Sequence, residues 1–441
     1  MEAFLTQLNE LIPDGELKTQ VLIQVLKDVD PSIWTDEKLE LLRQTFPEMV
    51  EARKLASWLY DPCATLEQTL HAIKSAHLGH GVDEEKMTLK EQVADSRRYT
   101  EPASIWEVLK TGHVRLVRKS WLIEHSRAGQ ILPRRQDLPN EAFIDVNELQ
   151  EIYEDGTKEK MRLDDSFKGD VLPIVAISFC WLTPKHPDPY GQQLATVAAA
   201  LEREQDKYIF KEMAVFWDWV SLYQKDVDGN RTEEEKQGFT FALEETMDLW
   251  YAHQGTHVYL LTKLPENAER KIGYADSGWT TYERCSAEQI KKFYVFAYEA
   301  KLVLDLGAEE GTEQVRNWPI GPDDFDKLIE QKTFTNGADR HEVKKLFRKM
   351  SAQQLGGIEE LDFYGMKRPS VEDGRRLGGC LKLCAKLRGL DLSRVGMTSE
   401  ALNALASSLG EGALGTCETL SLVGNNIGDA GMRAFADALG E

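Results

Sequence analysis

The chain has 441 residues, a length that at roughly 150 residues per domain favours about three domains. Its 53 Lys and Arg against 74 Asp and Glu leave a net charge of −21, so binding a nucleic-acid backbone would need a local basic surface. No apolar run reaches the roughly 18 residues of a membrane span, and Met1 to Leu11 lacks the basic-then-apolar order of a secretory signal. The six scattered cysteines form no CxxC pair, which together reads as a cytoplasmic protein with reduced thiols.

Residues 1–100 carry apolar side chains at helical spacing: Phe4, Leu8 and Leu11, then Val21, Leu22, Val25 and Leu26. Ser32 and Thr35 stand where a following helix would be capped. Over 101–165 the period breaks. Gly112, Gly129, Pro133 and Pro139 punctuate short apolar pieces such as Trp121-Leu122-Ile123, predicting a mixed connecting region of extended segments and loops. Within it the piece from His113 to Arg135 carries Arg115, Arg118, Lys119, Arg127, Arg134 and Arg135 against one acid, Glu124. Such a stretch either docks a nucleotide or phosphate or pairs with the acidic remainder of the protein, and the excess of acid favours pairing.

From 166 to 310 apolar strands alternate with helices. Ile174 to Phe179, Ala214 to Val220, His257 to Leu261 and Lys301 to Leu306 read as strands; Leu194 to Leu201, Phe239 to Tyr251 and Trp279 to Ile290 read as helices. This alternation predicts a parallel sheet covered on both faces. Residues 311–355 read as a helical connector, with Asp339 placed to cap a helix containing Val343, Leu346 and Phe347.

Residues 356–441 repeat a frame. Ile358-x-x-Leu361-x-Phe363, Leu387-x-x-Leu390-x-Leu392 and Cys417-x-x-Leu420-x-Leu422 follow one another at spacings of 29 and 30. Leu402, Leu405, Ala406 and Leu409 fall 30 before Met432, Phe435, Ala436 and Leu439, while the first unit lacks this helix frame. Each unit would be a short strand plus a helix, unable to bury its apolar face alone. The frame resembles the leucine-rich repeat of ribonuclease-inhibitor-like horseshoes, although only the third unit has the expected asparagine, Asn425. The resemblance implies a protein partner on the concave face, lined by Asp362 and Asp391. The third unit reaches Glu441 with no polar capping unit, so the array is expected to be truncated there or to meet a partner at its open end.

GxxxxGK[ST], HExxH and GxSxG are all absent. The loop Gln224 to Glu235 nearly matches a calcium-loop frame. Gln224 replaces the first acid and Arg231 an apolar position, so it reads as an acidic turn and no metal is expected. Chemistry points instead to three segments: Val175 to Trp181, Phe216 to Gln224, and Tyr274 to Glu283. The first two end strands with polar and aromatic residues and the third opens a helix. In an open parallel sheet these ends share one edge, where ligands bind. Ser178, Trp181, Asp218, Gln224 and Glu283 can therefore converge. With Asp276 or Ser277 as cap, Trp279 and Glu283 are i and i+4 on one helix face. A carboxylate beside an indole can stabilise a developing cation; on spacing alone, a surface glutamate above a core tryptophan fits as well.

These segments resemble two related families. AISFCWL is similar to the first box of fungal heterokaryon-incompatibility (HET) domains. FWDWVSLYQ is similar to their second box, with Asp218 and Gln224 in register, and Met247 and Tyr251 fit the helix that follows. YADSGWTTYE resembles both their third box and the YAxSxWCxxEL box of Toll/interleukin-receptor (TIR) domains. Leu182 replaces the glycine of the first box. Ser277-Gly278 stands where the HET arginine would precede the tryptophan, Thr280 replaces the TIR cysteine, and Tyr282 the HET glutamine. The resemblance implies a flavodoxin-like, TIR-like α/β domain between a helical N-terminal region and a leucine-rich-repeat α/β solenoid.

What it implies for activity is cleavage of NAD between nicotinamide and ribose, with Glu283 as the catalytic carboxylate and NAD as substrate, no bound cofactor being required. Trp279 or Trp181 would wall a ring by stacking. Ser178 and the backbone after the first strand would hold phosphate or ribose, and Asp218 would bind a ribose hydroxyl or serve as a buried structural acid. The layout is that of intracellular defence or cell-death signalling proteins. A non-catalytic adaptor acting by self-association is the alternative.

Overall fold

The computed structural model describes residues 97–163 and 171–440, apart from 267, 294–299, 310–311, 313–315, 338 and 410–413, together with two short N-terminal strands. The chain divides into two compact units, Met1–Thr88 and Leu89–Glu441. In the first, β1 (Glu16–Lys18) pairs antiparallel with β2 (Met49–Glu51) through Leu17 and Val50. The helices expected over 1–100 otherwise lie outside the described residues.

The second unit holds a five-stranded sheet: β3 (Val117–Arg118), β4 (Ile174–Ser178), β5 (Ala214–Phe216), β6 (His257–Leu260) and β7 (Val303–Asp305). Its spatial order is β3-β5-β4-β6-β7, with β4 to β7 parallel and β3 antiparallel on the edge of β5. The chain therefore runs outward from β4 to β5, then crosses back to β6 and β7. Strand order reverses between β4 and β6, and the C-terminal ends beside such a reversal are where open parallel sheets place their ligands.

Alternation along each strand feeds two cores. Ile174, Ala176, Phe216, Val258, Leu260 and Val303 face one; Val175, Ile177, Val215, Tyr259 and Leu304 face the other. Both faces are buried, as continuous apolar strands require. The second core is closed by α2 (Lys119–Arg127) and α4 (Gln192–Glu204). The first is closed by α1 (Ala103–Lys110), α6 (Met247–Ala252) and α7 (Gly278–Ala287). Trp250 of α6 stacks on Phe216 with centroids 4.8 Å apart.

The reading of 101–165 as extended segments and loops is corrected. It forms α1, α2 and α3 (Val146–Leu163), and its strand β3 joins the sheet. The glycines read as breakers end helices: Gly112 (φ 72°) follows α1 and Gly129 (φ 67°) follows α2, both left-handed as helix exits favour. Its cations are committed internally. Arg118 pairs with Glu148, Arg127 with Glu202 and Arg134 with Asp137, and the buried Lys119 and Arg135 donate to backbone carbonyls. In the loop Gln224 to Glu235, Asp226 accepts from the amides of Asp228 and Asn230, closing a turn on itself.

Beyond the sheet, α8 (Pro322–Glu330) and α9 (Asp339–Gly357) form the connector, with α5 (Glu233–Phe241) earlier in the chain. Phe325 of α8 stacks on Phe347 of α9 at 3.8 Å, and both meet Tyr282 of α7 edge-on. The last part is three strand–helix units: β8 (Glu360–Asp362), β9 (Gly389–Asp391) and β10 (Thr419–Ser421), with α10 (Val371–Leu381), α11 (Ser399–Ser408) and α12 (Asp429–Gly440). The strands are parallel, and the sequence frame is their register: Leu361 pairs with Leu390 and Leu390 with Leu420. Asn425 accepts from Met397 N at 2.9 Å and donates to the carbonyls of Leu392 and Leu422, tying the third unit to the second. Asp362 and Asp391 each accept the amide two residues on, so their carboxylates are partly spent on strand ends. Leu402 and Leu405 are fully buried; of their counterparts in the frame Phe435 stays buried, whereas Met432 is 43% exposed.

The first unit has a helix after all. Gly374 and Gly378 of α10 face the backbone of α11; a Cβ on Gly374 would lie 2.2 Å from the carbonyl oxygen of Ala401. Gly-to-Ala in a helix interior ordinarily gains roughly 0.5–1 kcal/mol. Here the overpacking cost of about 1–3 kcal/mol wins, because a backbone carbonyl cannot swing aside. Gly374→Ala is therefore expected to lower the thermal midpoint; a rise would show that the two helices are not in this contact.

Candidate active site

Three sequence segments deliver their polar ends to the C-terminal edge of the sheet. Ser178 is the last residue of β4 and is fully buried. Its hydroxyl donates to Glu283 Oε2 at 2.6 Å, on the second turn of α7. Its single proton being spent there, Ser178 accepts from the phenol of Tyr274, also at 2.6 Å. The phenol of Tyr251 on α6 donates to the carbonyl of Ile177 at 3.3 Å and lies close enough to the Glu283 carboxyl to favour its charge. Glu283 thus lies within a ring of hydroxyls rather than on the outer face of its helix. Its neighbours point elsewhere: Tyr282 into the connector core, Arg284 to Glu288 and Asp305.

Burial is what sets the electrostatics. It pushes the Glu283 carboxyl up to about 8 against the hydrogen bond from Ser178 and the nearby Tyr251 phenol, and the charge of Asp218 pushes the same way. Burial and then the Glu283 charge drive the Tyr274 phenol well above its ordinary value. Asp218 follows β5 and starts a single helical turn, Asp218–Ser221. It keeps part of its surface, yet its carboxyl is enclosed enough that burial raises it to about 6. Two donors hold it: the indole N–H of Trp181 at 2.8 Å and the amide of Trp219 at 2.5 Å. Trp181 is half-buried and meets Trp219 edge-on at 5.3 Å. Gln224 binds the carbonyls of Asp218 and Leu222, bracing the turn rather than facing a ligand.

Ser178, Glu283, Trp181 and Asp218 are therefore brought to one edge. Trp279 is not. Ser277 takes the N-cap position of α7 without a side-chain cap, and the Trp279 indole donates to Asp339 at the start of α9, 2.9 Å away. The expected indole wall over the carboxylate is corrected to a tie between α7 and the connector. The Ser277-Gly278 departure has a steric reason, since a Cβ on Gly278 would meet the Phe334 ring at 2.0 Å. The amides at the start of α4 are not free. The carboxylate of the buried Asp188 accepts from Gln192 N and Leu194 N at 3.0 and 2.8 Å, filling the start of α4.

Sequence reasoning assigned no site role to Tyr274, which stands in the third box, or to Tyr251, which stands in the helix after the second. The signal was a tyrosine in each segment that flanks a strand-end polar residue. Among the described residues no group of His, Cys, Asp and Glu side chains could hold a metal ion, and no helix is long and apolar enough to cross a membrane. An open cleft of about 470 Å³ lies between α1 and the approach to α3, lined by Leu109, Val114, Arg115, Phe143 and Val146; none of the carboxylate ring lines it. No family model, curated protein or solved structure matches this chain.

A carboxyl with its folded value above its unfolded one binds more protons when folded. Its contribution is whole below about pH 4.5 and is lost as pH rises through about 8. At about 1.4 kcal/mol per unit the loss amounts to a few kcal/mol. Glu283→Gln removes it, so the variant's thermal midpoint is expected to gain on the wild type between about pH 5 and pH 8 and to level off above. A pH-independent difference would show that Glu283 is not the buried titrating acid.

Proposed function

We propose that the α/β part of this chain cleaves NAD at the nicotinamide–ribose bond, with Glu283 as the catalytic carboxylate. The observation that supports this most is the Ser178–Glu283 hydrogen bond at the edge where strand order reverses, with Asp218 close enough to act on Glu283 through its charge. The strand order supports the flavodoxin-like, TIR-like reading of the domain, and the 29- and 30-residue register supports the leucine-rich-repeat reading of the C-terminal units.

The chemistry suits one acid. Nicotinamide in NAD is cationic, so the C1′–N bond breaks with its electron pair passing to the ring, and no general acid is needed for departure. The ionised Glu283 stabilises the oxocarbenium-like ribose, as carboxylates do in glycoside hydrolysis. Water then adds to C1′ and gives its proton to Glu283, yielding ADP-ribose, nicotinamide and one proton. Ser178 holds the carboxylate in place beside the Tyr251 phenol, and the dry ring strengthens its field. In this reading the protein is an intracellular defence or cell-death signalling component whose repeats bind a protein partner.

Purified protein is expected to release nicotinamide from NAD, and Glu283→Ala to lower that rate by about 10³-fold or more while keeping the fold, a loss of about 4 kcal/mol of transition-state stabilisation. Because the ionised form is the working one, kcat/KM should rise with pH to a plateau above about pH 8. Wild-type turnover in Glu283→Ala would refute the assignment.

The second reading, a non-catalytic adaptor, is favoured by one observation: Glu283 is only 8% exposed and spends its hydrogen bonds inward. It expects no nicotinamide release at any protein concentration, and self-association measurable by light scattering.

A further inference from the structure

The C-terminal edge of the sheet offers an anion few places. The start of α4 is filled by Asp188, Gly278 N at the start of α7 donates to Thr333 O at 3.0 Å, and Trp219 N donates to Asp218. A diphosphate therefore cannot use these amides, the usual anchor in such sheets. The cation on α7, Arg284, is held by Glu288 and Asp305. Among the described residues of the loop after β6, Arg270 pairs with no acid; nor do Lys263 and Lys271, but these are exposed whereas Arg270 is tied to the strand end. Arg270 lies on the loop that joins β6 to α7 across the reversal of strand order. Its guanidinium donates to the carbonyls of Ile272 at 2.7 Å and Trp181 at 3.4 Å. Among the described residues no carboxylate pairs with it, although the chain carries 21 more acids than bases. It is half-buried, and its charge reaches the Cys180 thiol, which also feels Glu283.

We propose that Arg270 anchors the diphosphate of the dinucleotide, setting the site's preference for phosphorylated over phosphate-free nicotinamide ribosides. This rests on the NAD reading above. Two carbonyls fix the guanidinium through Nε and Nη1 and leave Nη2 to meet phosphate oxygens, the fork geometry for which arginine is suited. Its tether, the carbonyl of Trp181, belongs to the residue whose indole holds Asp218. The nicotinamide ribose at Glu283 and the diphosphate at Arg270 would then lie either side of the Ser178–Trp181 strand end.

The test uses the full chain, with ADP-ribose as the binding probe and NAD and nicotinamide riboside as paired substrates. Arg270→Ala is expected to weaken ADP-ribose binding by calorimetry about 10- to 100-fold, the range of one charge-assisted contact, with Arg270→Lys intermediate. KM for NAD should rise at least about tenfold more than KM for nicotinamide riboside, and kcat should change less than KM. Unchanged ADP-ribose binding in Arg270→Ala, equal losses for the two substrates, or a wild type that does not bind ADP-ribose would overturn the assignment. A wild type that binds ADP-ribose through Arg270 but releases no nicotinamide would sink the cleavage reading and leave this one standing.

Discussion

The hydrogen bond from Ser178 to Glu283 joins the end of the central strand to the middle of α7 inside a region that excludes water. A carboxyl placed there without partners would be costly. The serine and Tyr251 reduce that cost without removing it, which is why the acid remains pushed up to about 8. The rest of the site follows from this compromise. The phenols of Tyr251 and Tyr274 give directional donors without charge, and Asp218, held by its own pair of donors, supplies the nearest negative field. The ring is a store of electrostatic preorganisation, with its dipoles set before any ligand arrives.

Much of the sheet was legible because its signal is redundant. Ile174 to Ser178 is buried at every position, and such a run with flanking polar residues reads as a central parallel strand in any register. The repeat was legible for a similar reason, since a 29- or 30-residue offset is the pairing register itself. The segment 101–165 was not. The glycines that interrupt its periodicity are helix exits, and β3 is two residues long, below what alternation can signal.

At the site, what could be read was the meeting of strand ends, because parallel topology alone imposes it. Side-chain direction could not be read. Trp279 and Glu283 share a helix face by spacing, yet the indole turns to Asp339 because α9 arrives from sixty residues downstream with an acceptor. The filling of the α4 start by Asp188 was equally hidden, since one acid in a loop carries no mark of where its carboxylate lands.

The seating of the connector against α7 has a consequence for how this protein can be taken apart. Phe334 occupies the space over Gly278, Phe325 and Phe347 cover Tyr282, and Gln354 reaches back to the carbonyl of Ala252. The helix bearing the acid therefore has one side in the sheet and the other in the C-terminal third of the chain. A protease cutting near residue 311 would not liberate a self-sufficient α/β unit. It would leave that helix with an aromatic flank in water, and the ring around Glu283 would dissolve along with the packing that held it.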